Sequence, residues 1–221
     1  MKYINYIWDF GGTLFDTYPA FAKQVIIKLR ENSIEEDYDY ILSKAKKSKN
    51  HLIEELTKRY KLSKELQKEI RKCEKNSPLE DRKPFNTVKD ILKDIINYGG
   101  KNYIYTHRSF HSAMELLYHY DMFDLFEDIV SKDVGLERKP DPEGFIYIIE
   151  KYNLDRSKTL SIGDRVIDVE SSKAAGIHTA FFGEDIVSAD IVFQDFNELK
   201  KIILEGDKNI GSSDFIVELS F

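Results

Sequence analysis

Four short polar clusters stand out in this sequence: Asp9-Phe-Gly-Gly-Thr-Leu-Phe-Asp16, Thr106-His107-Arg108, Lys139-Pro-Asp-Pro142 and Gly163-Asp164-Arg-Val-Ile-Asp168. Asp9, Asp164 and Asp168 are carboxylates that could meet if the chain folds their elements side by side. Three carboxylates at one place repel one another, and a hard divalent cation is the simple remedy. Three negative charges, one dication and the Lys139 ammonium sum to zero, so such a site could accept an anionic phosphate. Gly11 and Gly12 directly follow an apolar run, so the backbone there turns tightly or approaches a ligand closely.

The intervening segments must bring these clusters together. Residues 3–8 form a short β-prone run that ends at Asp9. Residues 102–106, about 127–131, 158–162 and 177–182 also read as strands. Helices are predicted between them on the stripe Val88, Ile91, Leu92, Ile95 and Ile96, closed by Gly99-Gly100, and near 109–119, 143–152 and 166–175, with a last one carrying Phe196, Leu199, Ile202 and Ile203. Strands alternating with helices imply an α/β fold, a doubly wound, Rossmann-like parallel sheet. Open parallel sheets place their sites at the carboxyl ends of the strands, where all four clusters fall. Residues 17–84 show only helical stripes: Phe21, Val25, Ile26 and Leu29, then Leu52, Ile53, Leu56 and Tyr60, then Leu62, Leu66 and Ile70. This block is expected to be an all-helical cap inserted after the first strand. The reading is a core of residues 1–16 and 85–205, a cap of 17–84, and a tail of 206–221 to which no role is assigned.

Composition narrows the function classes. The chain has 221 residues, 42% of them hydrophobic, which is ordinary for a globular protein. A net charge of −6 gives no support to nucleic acid as a partner. The cap segment alone is net +5, either a set of solvated helices or a basic lid over an acidic, anion-binding site. Cys73 is the single cysteine, so no intrachain disulfide can form, which fits a reducing compartment. No apolar run approaches a membrane span, and the N-terminus lacks a signal-peptide pattern. The expectation is a cytoplasmic protein with no membrane partner, a monomer or homodimer.

The four clusters, in this order, resemble the four motifs of the haloacid dehalogenase-like superfamily, with Ala174-Ala-Gly-Ile177 as the usual continuation of the last. The resemblance runs from residue 1 to about 204 and is nearest to phosphoglycolate phosphatase-like members with a small helical cap. It implies that Asp9 is a nucleophile forming an aspartyl phosphate. It implies Mg²⁺ held by Asp9, the Gly11 carbonyl and Asp164, with Asp168 as a direct or water-mediated ligand. Thr106 would hydrogen-bond a phosphoryl oxygen, Gly12 would let the backbone approach the substrate, and Lys139 would neutralise charge between Asp9 and the phosphate. The implied activity is hydrolysis of a small phosphorylated metabolite, driven by positioning and electrostatics.

One position departs from that pattern. Phosphatases of the family carry a second aspartate two residues after the nucleophile, as acid and base, and here that position is Gly11. Such catalysis is typically worth about 10²–10⁴-fold, so slow turnover is expected unless another group substitutes. His107 is a candidate substitute, or else a histidine that merely hydrogen-bonds at a strand end. Asp16 is a second, or else an N-cap or hinge at the cap entrance. Arg108 either grips a substrate anion or makes a salt bridge. Two alternatives stand beside the phosphatase: a weakened phospho-ligand-binding protein, and phosphonate- or dehalogenase-type chemistry. The phosphonate route requires a cap lysine, and the sequence marks none.

Overall fold

The computed structural model describes residues 2–184 and 188–205; the 206–221 tail lies outside the described residues. Six parallel strands form one sheet: β1 (Asn5–Trp8), β2 (Lys101–Tyr105), β3 (Asp128–Val130), β4 (Thr159–Gly163), β5 (His178–Phe182) and β6 (Ile191–Phe193). Their spatial order is β3-β2-β1-β4-β5-β6. The chain moves outward from β1 through β2 to β3, then crosses back to β4. The carboxyl ends of β1 and β4 therefore flank the point where the winding reverses, the usual ligand crevice of open parallel sheets.

Strand alternation decides what covers each face. Tyr6 and Trp8 of β1 face one way and pack with Val88, Ile91, Leu92, Leu116, Leu117 and Leu199. These come from α5 (Val88–Asn97), α6 (Phe110–His119) and α9 (Phe196–Glu205). Ile7 faces the other way, into a layer with Tyr103, Val130, Phe145, Ile148 and Ile177. Phe145 and Ile148 come from α7 (Glu143–Tyr152), and Ile177 follows α8 (Val166–Ala174). The buried Trp8 and Asn102 side chains are paired: the Trp8 indole donates to Asn102 Oδ1 at 3.1 Å, and Asn102 Nδ2 donates to the carbonyls of Leu92 and Leu125.

The segment between β1 and α5 forms four helices: α1 (Tyr18–Glu31), α2 (Tyr38–Lys47), α3 (Lys49–Tyr60) and α4 (Lys64–Lys72). Phe21, Val25, Leu29, Leu52, Leu56 and Ile70 join in a separate apolar cluster. Asp37, Ser48 and Ser63 cap α2, α3 and α4, each side-chain oxygen accepting from a backbone N–H of the first turn. The Asp16 N–H donates to the Lys83 carbonyl at 2.8 Å, tying the incoming strand of the helical block to the outgoing one. Asp16 is thus at the entrance hinge, and Thr17 rather than Asp16 occupies the position before α1. Strand β6 was not among the expected elements. It has three residues, and only Phe193 is buried, so no alternation marks it. No helix among the described residues is long and apolar enough to cross a membrane.

Candidate active site

Asp9 leaves the end of β1, Thr106 the end of β2, and Asp164 the end of β4. The turn after β1 depends on Gly12, whose φ is +98°. A side chain there would also put a Cβ 2.3 Å from Asp164 Oδ2, so both conformation and space require glycine. Gly163 has a parallel role: a Cβ on it would lie 2.4 Å from the Asp168 Cβ.

Lys139 is buried at the centre. Its Nζ donates to Asp9 Oδ1 at 2.9 Å, to Asp168 Oδ1 at 2.8 Å and to the Tyr105 carbonyl at 2.9 Å. All three ammonium protons are thereby used. Burial disfavours the charge, but Asp168 and Asp9 outweigh it and hold Lys139 above its ordinary value. Asp168 also accepts from the Arg165 N–H at 3.0 Å. Burial raises its carboxyl, but Lys139 and Arg165 prevail, and Asp168 sits below the usual carboxylate range. Both Asp168 oxygens already carry a donor, so of its two expected modes a water-mediated role toward a metal is the easier.

Asp9, Asp164 and Asp168 each place an oxygen within 4.8 Å of the others'. Burial, then repulsion from Asp9 and Asp168, pushes Asp164 up to about 7; burial likewise raises Asp9, against the pull of Lys139. This is the signature of negative charge lacking a counter-charge, and hard oxygen donors of this kind suit a divalent cation. The donor set therefore fits a metal held by Asp9 and Asp164, with Asp168 behind them. Asp164 is already oriented: it accepts from Thr13 Oγ1 at 3.0 Å and from the Tyr18 hydroxyl at 2.7 Å. Tyr18 opens α1, so the helical block reaches directly into the acidic cluster.

An open pocket of about 390 Å³ lies above Asp9 and Thr106. The core supplies Arg108, Lys132, Arg138 and Arg165 to its wall, and the helical block supplies Lys49, Arg71 and Lys75. The net +5 of residues 17–84 is thus partly directed at the site. Thr106 Oγ1 accepts from the Arg108 N–H at 3.1 Å, which leaves its own hydroxyl proton free to donate outward.

His107 has a different position from that of an acid–base group. Its Nε2 accepts from the Lys139 backbone N–H at 2.9 Å. Burial, together with Lys139 and Arg138, pulls the imidazole down to about 3. A neutral ring with that lone pair engaged holds the Lys139 loop and neither gives nor takes a proton near neutrality. Arg108 does make a salt bridge, to Glu74 beyond α4, and it also donates to Ser112 Oγ at 2.9 Å. Glu74, Lys49, Tyr18 and Arg165 were not singled out from the sequence. The first three belong to the helical block and carry no motif. Arg165 lies inside the fourth cluster, and its buried Nε has no hydrogen-bond partner among the described residues.

Solved structures share this architecture. A hydrolase from Streptococcus pneumoniae TIGR4 is 30% identical, with a TM-score of 0.68 over 92% of this chain and 99% of that one. A phosphatase described as putative, from Clostridium difficile, superposes with a TM-score of 0.78 at 20% identity over 92% of this chain and 100% of that one, which speaks to fold alone. Among curated proteins, a phosphoglycolate phosphatase of Aquifex aeolicus is 26% identical across 79% of this chain and 82% of its own length. One of Aliivibrio fischeri is 27% identical across 52% of this chain, and the match spans 55% of that relative's length. Residues 6–182, which contain all four polar clusters, match the haloacid dehalogenase-like hydrolase family, and the chain belongs to that family.

Proposed function

We propose that the protein is a Mg²⁺-dependent phosphatase that hydrolyses a small phosphomonoester through a phosphoryl group carried on Asp9. The observation that carries this reading is the bridge of Lys139 Nζ between Asp9 and Asp168 at the floor of a cation-lined pocket. A lysine with every proton engaged fixes the Asp9 carboxylate and lowers the field against an approaching phosphate. Asp9, Asp164 and the Gly11 carbonyl would hold the metal, which when bound offsets the charge of the carboxylates and the phosphoryl oxygens. Asp9 presents the attacking oxygen, Thr106 donates to a phosphoryl oxygen, and the cations of the wall hold the remaining charge. The phosphoglycolate phosphatases among its relatives support a small anionic substrate. The test is hydrolysis of p-nitrophenyl phosphate with and without Mg²⁺. Metal-dependent turnover that Asp9→Asn abolishes supports the reading, and an active Asp9→Asn protein overturns it.

A second reading rests on Lys49. It is a helical-block lysine on the pocket wall. Burial, then Arg108, Arg165 and Arg82, draw its ammonium down to about 7. The Glu74 carboxylate paired with it opposes that shift, so the amine becomes free only where the pair opens. A free amine facing Asp9 suits phosphonate cleavage through an imine with an aldehyde substrate. Borohydride trapping of a phosphonoaldehyde on Lys49 would favour this chemistry, and absence of an adduct would remove it.

A further inference from the structure

Residue 11 has no side chain, and the structure shows what borders the space. A Cβ built on Gly11 would lie 3.5 Å from an Arg108 guanidinium nitrogen and 3.1 Å from Thr17 Oγ1. Gly11 is not among the glycines with positive φ, so no backbone requirement explains it. The Arg108 guanidinium packs over the Phe10 ring, 5.2 Å from its centroid. Its two terminal nitrogens are held by Ser112 and by the Glu74 carboxylate. Glu74 is itself buried and is paired with Lys49 through its other oxygen. The guanidinium is therefore fixed beside the nucleophile by a carboxylate that only the helical block delivers.

The charge state of this cluster decides its chemistry. Both Glu74 oxygens are engaged, one by Arg108 and the other by Lys49, so its carboxylate serves to hold these cations. Arginine does not give up its proton near neutrality; burial draws Arg108 down only to about 10, and Asp9 opposes even that. A fixed positive charge is what this wall offers. In-line attack by Asp9 sends the departing oxygen away from the strand ends and into the pocket, whose wall includes Arg108.

Resting on the phosphatase reading above, we propose that Arg108 takes the place of a residue-11 side chain and stabilises the leaving-group oxygen by charge. Glu74 is the positioning residue that aims it. In the first step a bond forms between an Asp9 oxygen and phosphorus, and the bond from phosphorus to the ester oxygen breaks. The electron pair stays on the ester oxygen, beside the Arg108 guanidinium, until a solvent proton converts it to the alcohol. In the second step water adds to the phosphorus and gives one proton to solvent, the bond from the Asp9 oxygen to phosphorus breaks with its electron pair on the carboxylate, and hydrogen phosphate leaves. The site is complete only when the helical block is closed, because Glu74 arrives with it.

The experiment is a series of phosphomonoesters graded in leaving-group pKa, from p-nitrophenyl phosphate to an alkyl phosphate. It is run with Mg²⁺ on wild type, Arg108→Met, Arg108→Lys and Glu74→Gln, each checked for an unchanged unfolding midpoint. Arg108→Met is expected to lose under about tenfold on p-nitrophenyl phosphate and roughly 10²–10³-fold on the alkyl ester. Arg108→Lys recovers part of that loss, and Glu74→Gln steepens the leaving-group dependence in the same direction. Gly11→Asp supplies an independent arm. It should gain activity on the alkyl ester in the Arg108→Met background, where the guanidinium is gone, and not in wild type. Parallel losses across the series, or an equal Gly11→Asp gain in both backgrounds, overturn the assignment while leaving the phosphatase reading intact. A wild type inactive on every ester overturns both.

Discussion

Lys139 Nζ lies 2.9 Å from Asp9 Oδ1, although 130 residues separate the two in sequence. The same ammonium holds Asp168 at 2.8 Å, so one buried cation organises two of the three carboxylates. Replacing it removes the main compensation of two buried charges.

Lys139→Met should therefore both inactivate and destabilise the protein. Removing one partner of a buried ion pair typically costs about 3–5 kcal/mol. The expected result is a urea midpoint well below wild type with no detectable phosphatase turnover. A variant with wild-type stability would show that Asp9 and Asp168 do not depend on this lysine.

Gly12→Ala tests the turn. The new Cβ would meet Asp164 Oδ2 and the Tyr18 ring in a left-handed conformation. A residue held in such a region costs about 1–3 kcal/mol. The larger effect is expected on Mg²⁺ affinity, because Asp164 must move. Calorimetric titration should show weakened or absent metal binding, and unchanged affinity would contradict the placement of Asp164 in the metal site.

Metal binding should depend on pH through Asp164. Its folded carboxyl is raised to about 7 without a cation, so below that pH it is protonated and a metal must displace the proton. Apparent Mg²⁺ affinity should fall by about tenfold per pH unit as pH drops below 7. Proton release, measured in two buffers of different ionisation enthalpy, should accompany binding below pH 7 and fade above it. Asp164→Asn should abolish the effect.

His107 predicts a pH dependence of stability. Its folded pKa is depressed to about 3, against an ordinary value near 6.5. Its neutral ring is favoured in the fold, so the stability it contributes is present above pH 6.5 and is lost as pH falls from there toward 3. His107→Gln keeps an acceptor for the Lys139 N–H but cannot titrate. Unfolding midpoints of the variant should decline less than wild type between pH 7 and pH 4.5, and its kcat should stay within a few-fold of wild type. A loss of the order expected for a missing acid–base group, about 10²-fold or more, would restore His107 to that role.

Much of the site was legible because its residues sit at strand ends. Asp9, Thr106 and Asp164 each follow an apolar run that reads as a buried strand, and the parallel topology makes those ends converge, while Lys139 comes from the loop before α7 and Asp168 from the first turn of α8, each within a recognisable cluster. The helical block was legible as helices through the stripes of α1 and α3. Helix α2 was harder, since only Ile41 and Ala45 are buried in a lysine-rich segment. What the block contributes to the site was not legible at all. Tyr18, Lys49 and Glu74 reach the pocket through the packing of helices onto the core, and no spacing within a helix reports which turn faces a distant strand end. The meaning of Gly11 was half legible: the missing side chain was plain, but the guanidinium that borders its space became visible only in three dimensions.

The central claim is that Asp9 carries the phosphoryl group. The most direct measurement is to quench the enzyme during turnover of p-nitrophenyl phosphate with Mg²⁺, reduce it with borohydride, and sequence the peptide containing position 9 by mass spectrometry. An acyl phosphate on Asp9 is reduced to homoserine, and the account predicts homoserine at position 9 only when both substrate and Mg²⁺ are present. Turnover with Asp9 recovered unmodified, under conditions that trap a reference acyl phosphate, would contradict the account and point to direct attack by water.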